Sequence, residues 1–228
     1  MRYFFQSVIE KKEKGYMIRI PFNVWEVCKQ RDVIKADVVL DNAVIDCELL
    51  PRENGKSTFQ GNYEIHIPDD DAVKVELGVP HKILLHITES LIRMDQNSPY
   101  SFDNPIRRID SMKVIIQPED GLCGQSCVAM LAGITIAEVI SVMDCREWQA
   151  TMGRMISALN YYGIDHSDVI NYTEGRAAVL PKCCIMMEKM GRYCHYLVHY
   201  DGKYYDSNLG VLDEYDMSKL LGYLEIKC

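Results

Sequence analysis

Cys123, His195, Asp206 and Gln117 are the residues whose types and spacing suit covalent acyl chemistry. Cys123 opens the run Leu122-Cys123-Gly124-Gln125-Ser126-Cys127-Val128-Ala129-Met130-Leu131-Ala132-Gly133, which reads as a loop turning into a helix from about Cys123 to Ala132, stopped at Gly133. A thiol at a helix start meets unpaired amides and the positive end of the dipole, and both favour the nucleophilic thiolate. Cys127, one turn further in, falls on the inner face and reads as a small core residue. Gln117 lies six positions before Cys123. Its carboxamide can swing beside the thiol and donate, together with the Cys123 backbone amide, to a developing oxyanion.

Such a nucleophile needs a base. The run Tyr193 to Tyr200 is aromatic and branched, hence strand-like, and Asp201-Gly202 supplies a two-residue hairpin turn. Pairing across that turn sets Tyr200 against Lys203, Leu197 against Asp206 and His195 against Asn208. Strand alternation then gathers His195, Leu197, His199, Tyr204, Asp206 and Asn208 on one face, with Asp206 diagonal to His195. An acid there fixes the imidazole tautomer and stabilises the imidazolium formed when Cys123 loses its proton. Asn208 is the alternative orienting group, and His199, nearer the turn, reads as structural. Zinc would be a competing use of these thiols. However, a helical Cys-x3-Cys and an adjacent Cys183-Cys184 pair, pointing to opposite faces of a strand, match no compact zinc spacing. No metal and no cofactor are expected.

The pattern Gln-x5-Cys-Gly-x-x-Cys-x-Ala-Met-Leu from Gln117 to Leu131 resembles the active-site opening of papain-like cysteine peptidases, most closely the bacteriocin leader-peptide (double-glycine) peptidase group. The resemblance implies that Cys123 is the nucleophile and that Gln117 builds the oxyanion hole. It also implies a His at the start of one strand and an Asp at the end of the next, here His195-Tyr-Leu-Val and Tyr204-Tyr-Asp206-Ser-Asn. The sequence departs from the group at Ser207, where proline is frequent, and asparagine does the orienting in papain itself. The implied activity is a cysteine peptidase acting on a peptide or protein substrate through a Cys-His-Asp triad. The same triad also serves acyl transfer and deamidation, and a catalytically silent binding module would keep the fold without the chemistry.

Several elements must hold these residues in place. Val114 to Gln117 reads as a short strand before the turn Pro118 to Gly121. Thr135-x-x-Glu138 is a capping box for a helix through about Met143, and Thr151 caps another through Tyr162, stopped by Gly163. Its stripe of Met152, Met155, Ile156, Leu159 and Tyr162 is core at helical spacing. Lys182 to Met190 and the His195 hairpin read as strands, Met217 to Leu221 as a short helix and Gly222 to Cys228 as a last strand. Helices followed by an antiparallel sheet make an α+β, papain-like domain over residues 113–228.

Residues 1–90 carry an internal repeat. A shift of 47 superposes Tyr16, Ile18, Ile20 and Pro21 on Tyr63, Ile65, Ile67 and Pro68, and Lys35 to Leu40 on Lys82 to Ile87. Each copy reads strand, short helix, strand, the first helix capped by Asn23 and the second running from Ala72 to Leu77 behind Asp69 to Asp71. Between the copies Val38 to Leu40 and Ala43 to Leu50 form a hairpin turning at Asp41-Asn42, followed by a polar loop from Arg52 to Thr58. Two copies close one small β-barrel. The Tyr-x-Ile-x-Ile-Pro-Phe-x-Val start and the second Ile-Pro segment, with its Lys-x-x-Leu-Gly-Val, resemble a bacterial small β-barrel domain of unknown function. His66, His81 and His86 have no acid or Cys at a useful spacing there, and the barrel is expected at most to bind a protein partner. Residues 91–112 read as linker, and its position beside Gln117 raises the expectation that linker or barrel covers the cleft.

Composition bounds the rest. A chain of 228 residues with 48% hydrophobic and 25% charged side chains buries a real core and fits one large domain or two small ones. Net charge is -8, with 12 basic and 15 acidic groups in residues 1–90, so no basic stripe exists for nucleic acid. The longest uncharged run, Gly121 to Ala137, is 17 residues with three glycines, short of a membrane span. Met1 to Lys14 lacks the pattern of a signal peptide. Nine cysteines, an odd count, in an unsignalled chain point to a reducing, cytoplasmic setting without a disulfide framework.

Overall fold

In Ile34–Leu40 every second side chain, Ile34, Ala36, Val38 and Leu40, is buried, the period of a strand with one face on a core. The computed structural model describes residues 1–13, 15–28, 30–40, 43–52, 61–68, 76–88, 92, 97–191 and 193–228. The fold is mixed and strand-rich, with three α-helices among the described residues, and divides into two units. One comprises Met1–Ser90 with Asp168–Thr173, the other Leu91–Ser167 with Glu174–Cys228.

The first unit is a six-stranded barrel. Its strands are β1 (Arg2–Lys12), β2 (Gly15–Arg19), β3 (Ile34–Leu40), β4 (Ala43–Pro51), β5 (Tyr63–Ile67) and β6 (Pro80–Ile87). They close in the order β1-β2-β5-β4-β3-β6 and back to β1, antiparallel throughout. The repeat is written into the register. Ile18 pairs with Ile65 and Val38 with Leu85, each pair 47 residues apart, so equivalent strands of the two copies meet across an approximate two-fold axis. The strand-helix-strand reading lacked β1, whose pairing with β2 and β6 closes the barrel. The first copy's helix is a single 3-10 turn, Val24–Glu26, with Asn23 accepting from the Trp25 amide. Most of the second copy's helix, the Asp41-Asn42 turn and most of the Arg52 to Thr58 loop lie outside the described residues, and Glu76 and Leu77, at the end of that expected helix, are not helical. Gly61 is required by crowding, since a Cβ there would lie 1.4 Å from the Ile20 carbonyl oxygen. A strand absent from the sequence reading, β7 (His166–Tyr172), adds to the unit: its Val169, Ile170 and Asn171 pair in parallel with Arg2, Tyr3 and Phe4. Tyr172 stacks on Phe22 at 4.5 Å.

The second unit sets helices α1 (Cys123–Ala132), α2 (Ile136–Met143) and α3 (Met152–Tyr161) with an antiparallel sheet. The sheet runs β11-β10-β9-β8-β12, from β8 (Cys183–Met190), β9 (Tyr193–Tyr200), β10 (Lys203–Asp206), β11 (Gly210–Leu212) and β12 (Leu220–Ile226). The capping box is formed, with Thr135 and Glu138 exchanging bonds, and Thr151 caps α3. Residues 114–117 are not a strand. This apolar run finds one backbone bond, Gln117 N–H to the Ser207 carbonyl at 3.0 Å, and no ladder to join. The expected helix from Met217 is only a 3-10 turn to Lys219, because β12 begins at Leu220. The described part of residues 91–112 packs on α3: Ser98 Oγ donates to the Tyr161 carbonyl, and Ile106 N–H donates to the Tyr162 carbonyl at 2.9 Å. Among the described residues no single helix is long and apolar enough to cross a membrane.

Candidate active site

Helix α1 starts at Cys123 without a side-chain cap, so its first-turn amides have no intrahelical partner. The helix ends where Gly133, at φ 71°, donates to the Ala129 carbonyl, the left-handed stop expected of glycine. It is wedged against β9 and α3: a Cβ on Gly124 would lie 2.5 Å from the Ala150 Cβ and 3.2 Å from the Met155 sulfur. Cys123 itself is partly exposed, whereas Cys127 is fully buried. Burial first, then the charges of Cys123 and Asp206 when ionised, push the Cys127 thiol well above its ordinary range. It is a neutral core group.

The hairpin has the expected register, with Tyr200 opposite Lys203 and Tyr205 opposite Val198 across Asp201 and Gly202, both at positive φ. His195 is therefore diagonal to Asp206. Its Nε2 lies 2.8 Å from Asp206 Oδ2, and the two side chains are 8% and 5% exposed. Burial acts against a protonated His195. Hydrogen bonds to Asp206 and to Cys123, and the charges these groups carry when ionised, outweigh it, so the pKa is pushed up to about 10. Burial likewise opposes the Asp206 carboxylate, but the His195 bond and the amides of Asn208 and Leu209 hold its pKa below the usual range. Those amides donate to Oδ1 at 2.7 and 3.2 Å.

The geometry brings Cys123, His195 and Asp206 into one connected group. Gln117 joins it from the irregular segment: its Oε1 accepts from the Leu122 amide at 2.9 Å and its Nε2 donates to Asn208 Oδ1. Asn208 thus orients Gln117 by its side chain and Asp206 by its backbone, and it is not the partner of His195. His199 bonds the Pro181 carbonyl at 3.0 Å through Nδ1, and burial lowers its pKa. Gln125 and Trp148, absent from the sequence reading, also border the group. Gln125 is fully buried and its Nε2 donates to the Arg146 carbonyl, while the Trp148 amide donates to the Gly121 carbonyl. A glutamine in the first turn of a helix otherwise built of small and apolar residues is the signal that marks the first. Among the described residues no three His, Cys, Asp or Glu side chains gather as a metal site needs. No family model matches the chain, and no curated protein matches it in sequence.

Proposed function

We propose that the second unit is a papain-like cysteine hydrolase that cleaves a peptide or amide bond through Cys123. The observation that carries this reading is the buried His195 ring, hydrogen-bonded to Asp206 at 2.8 Å and electrostatically coupled to the partly exposed Cys123 at a helix start. Helices packed on an antiparallel sheet, with α1 against β9, suit the same assignment.

With Nε2 on Asp206, Nδ1 is the ring nitrogen left to exchange a proton with the thiol. His195 takes the Cys123 proton, and the thiolate attacks the acyl carbon. A C–S bond forms and the carbonyl electron pair moves to oxygen. The first-turn amide of Cys123 and the second Nε2–H of Gln117, the first being held by Asn208, donate to that oxyanion. Collapse breaks the C–N bond as the imidazolium proton passes to the leaving nitrogen. Water, deprotonated by His195, then attacks the thioester, and the departing Cys123 sulfur recovers its proton. Asp206 keeps the ring in one tautomer throughout.

The test is the pH dependence of iodoacetamide alkylation at each cysteine, read by peptide mass spectrometry on wild type and His195→Ala. Cys123 is expected to react at pH about 6, where an ordinary thiol with a pKa of about 8.5 is nearly inert, and to lose this in the variant. Reaction of Cys123 in step with the other thiols in both proteins overturns the reading and leaves a binding module.

A further inference from the structure

We propose that Trp148 and Tyr193 form a ledge that takes an apolar side chain of the substrate beside the acyl carbon attacked by Cys123, and that Gln125 is its positioning residue. The inference rests on the hydrolase reading. Trp148 has φ 60°, a left-handed backbone that a bulky aromatic residue adopts only under constraint. The strain is not offset by burial, because the residue is 56% exposed. Strain of this kind concentrates where a side chain must be held out for a ligand.

The constraint is visible in the bonds around the turn. The Trp148 amide donates to the Gly121 carbonyl at 2.8 Å, and Gln149 closes on Arg146 through its own amide and its Oε1, both at 3.3 Å. Gln125, two residues into α1 from Cys123, ties the turn to that helix through the Arg146 carbonyl at 2.9 Å. Gly121, at φ 91°, leaves room for the indole, since a Cβ there would lie 2.7 Å from it. The ring therefore lies against the chain two residues before the nucleophile. Tyr193 is 41% exposed, on the same face of β9 as His195, with its ring 5.2 Å from that of Trp148. One continuous apolar surface thus runs from the nucleophile's loop to the strand that bears the base. A side chain laid on it fixes the acyl carbon's approach by burying its own apolar area.

The probes are tripeptidyl chloromethyl ketones, acetyl-Gly-Gly-Gly and the three versions with Phe at one position, with the Cys123 alkylation rate of each compared with that of iodoacetamide. In the wild-type protein Phe at one position accelerates alkylation about tenfold over Gly. Trp148→Gly abolishes this preference while the iodoacetamide rate stays within about twofold; glycine suits φ 60°, so the melting temperature does not fall. Gln125→Met weakens the preference without lowering the iodoacetamide rate, which a merely structural role would lower as well. Equal rates for all four ketones in wild type, or a preference that survives Trp148→Gly, overturn the ledge and leave the hydrolase reading standing. Cys123 inert to every reagent in wild type overturns both.

Discussion

Each unit holds a His–Asp contact, and the two differ in almost everything that matters chemically. In the barrel, Asp37 and His86 sit directly opposite on β3 and β6, with Oδ2 and Nδ1 3.5 Å apart and the side chains 44% and 43% exposed. In the second unit, His195 and Asp206 are diagonal across β9 and β10, 2.8 Å apart and nearly dry. Water screens the first pair, and the residues opposite it in the barrel are charges, Asp46 across from Asp37 and Arg2 across from His86. The second pair is held by two backbone amides behind the acid and a thiol beyond the ring. The same two residue types make a surface contact in one place and a buried, charge-coupled pair in the other. Burial and the flanking groups decide which.

The largest test of this contrast is Asp206→Ala against Asp37→Ala. Removing Asp206 strands a buried imidazole and two amides, so the urea midpoint should report a loss of about 3 kcal/mol, against less than about 1 kcal/mol for Asp37→Ala. Equal losses would erase the distinction. A smaller but more specific effect is the pH dependence of stability. His195 is raised from 6.5 to about 10, so its contribution is whole below pH about 6.5 and is lost as pH rises through about 10. Asp206 is lowered, so its contribution is present above the ordinary value of 3.8 and is lost as pH falls through the depressed one. Thermal melts should therefore fall across the alkaline window in wild type and flatten there in His195→Gln, while His86→Gln keeps the wild-type slope. The smallest effect is expected for Asn208→Ala. Its amide on Asp206 survives the substitution, so alkylation at Cys123 should change less than about threefold, whereas Asp206→Asn should slow it by more than about tenfold. The reverse order would make Asn208 the orienting group.

What could be read from the chain was what its local bonds decide. The hairpin register followed from Asp201-Gly202 and two-residue alternation, the helix limits from Gly133, Thr135 and Thr151, and the diagonal approach of Asp206 to His195 from both. Each depends on partners a few residues away, so the pattern carries them. The 47-residue repeat likewise announced a symmetric barrel. It could not show that equivalent strands pair with each other, because pairing between copies is a long-range choice.

The misses have the opposite cause. β7 is largely polar, with only Ile170 and Tyr172 buried, and it is a strand because β1 offers it an edge. Residues 114–117 have the composition of a strand but join no ladder, their backbone bond being that of Gln117 to Ser207, so they stay irregular. Gln117 could be placed beside Cys123 by spacing alone, but its bond to Asn208 crosses 91 residues. The strained turn at Trp148 depends on a buried glutamine 23 residues earlier. Sequence by itself determined the helix that Cys123 opens, the hairpin that carries His195 and the repeat, since these close through short-range bonds. Only the tertiary structure decided which groups are dry, which amide holds which carbonyl and where an aromatic ring stands exposed, since those are properties of surfaces brought together from distant parts of the chain.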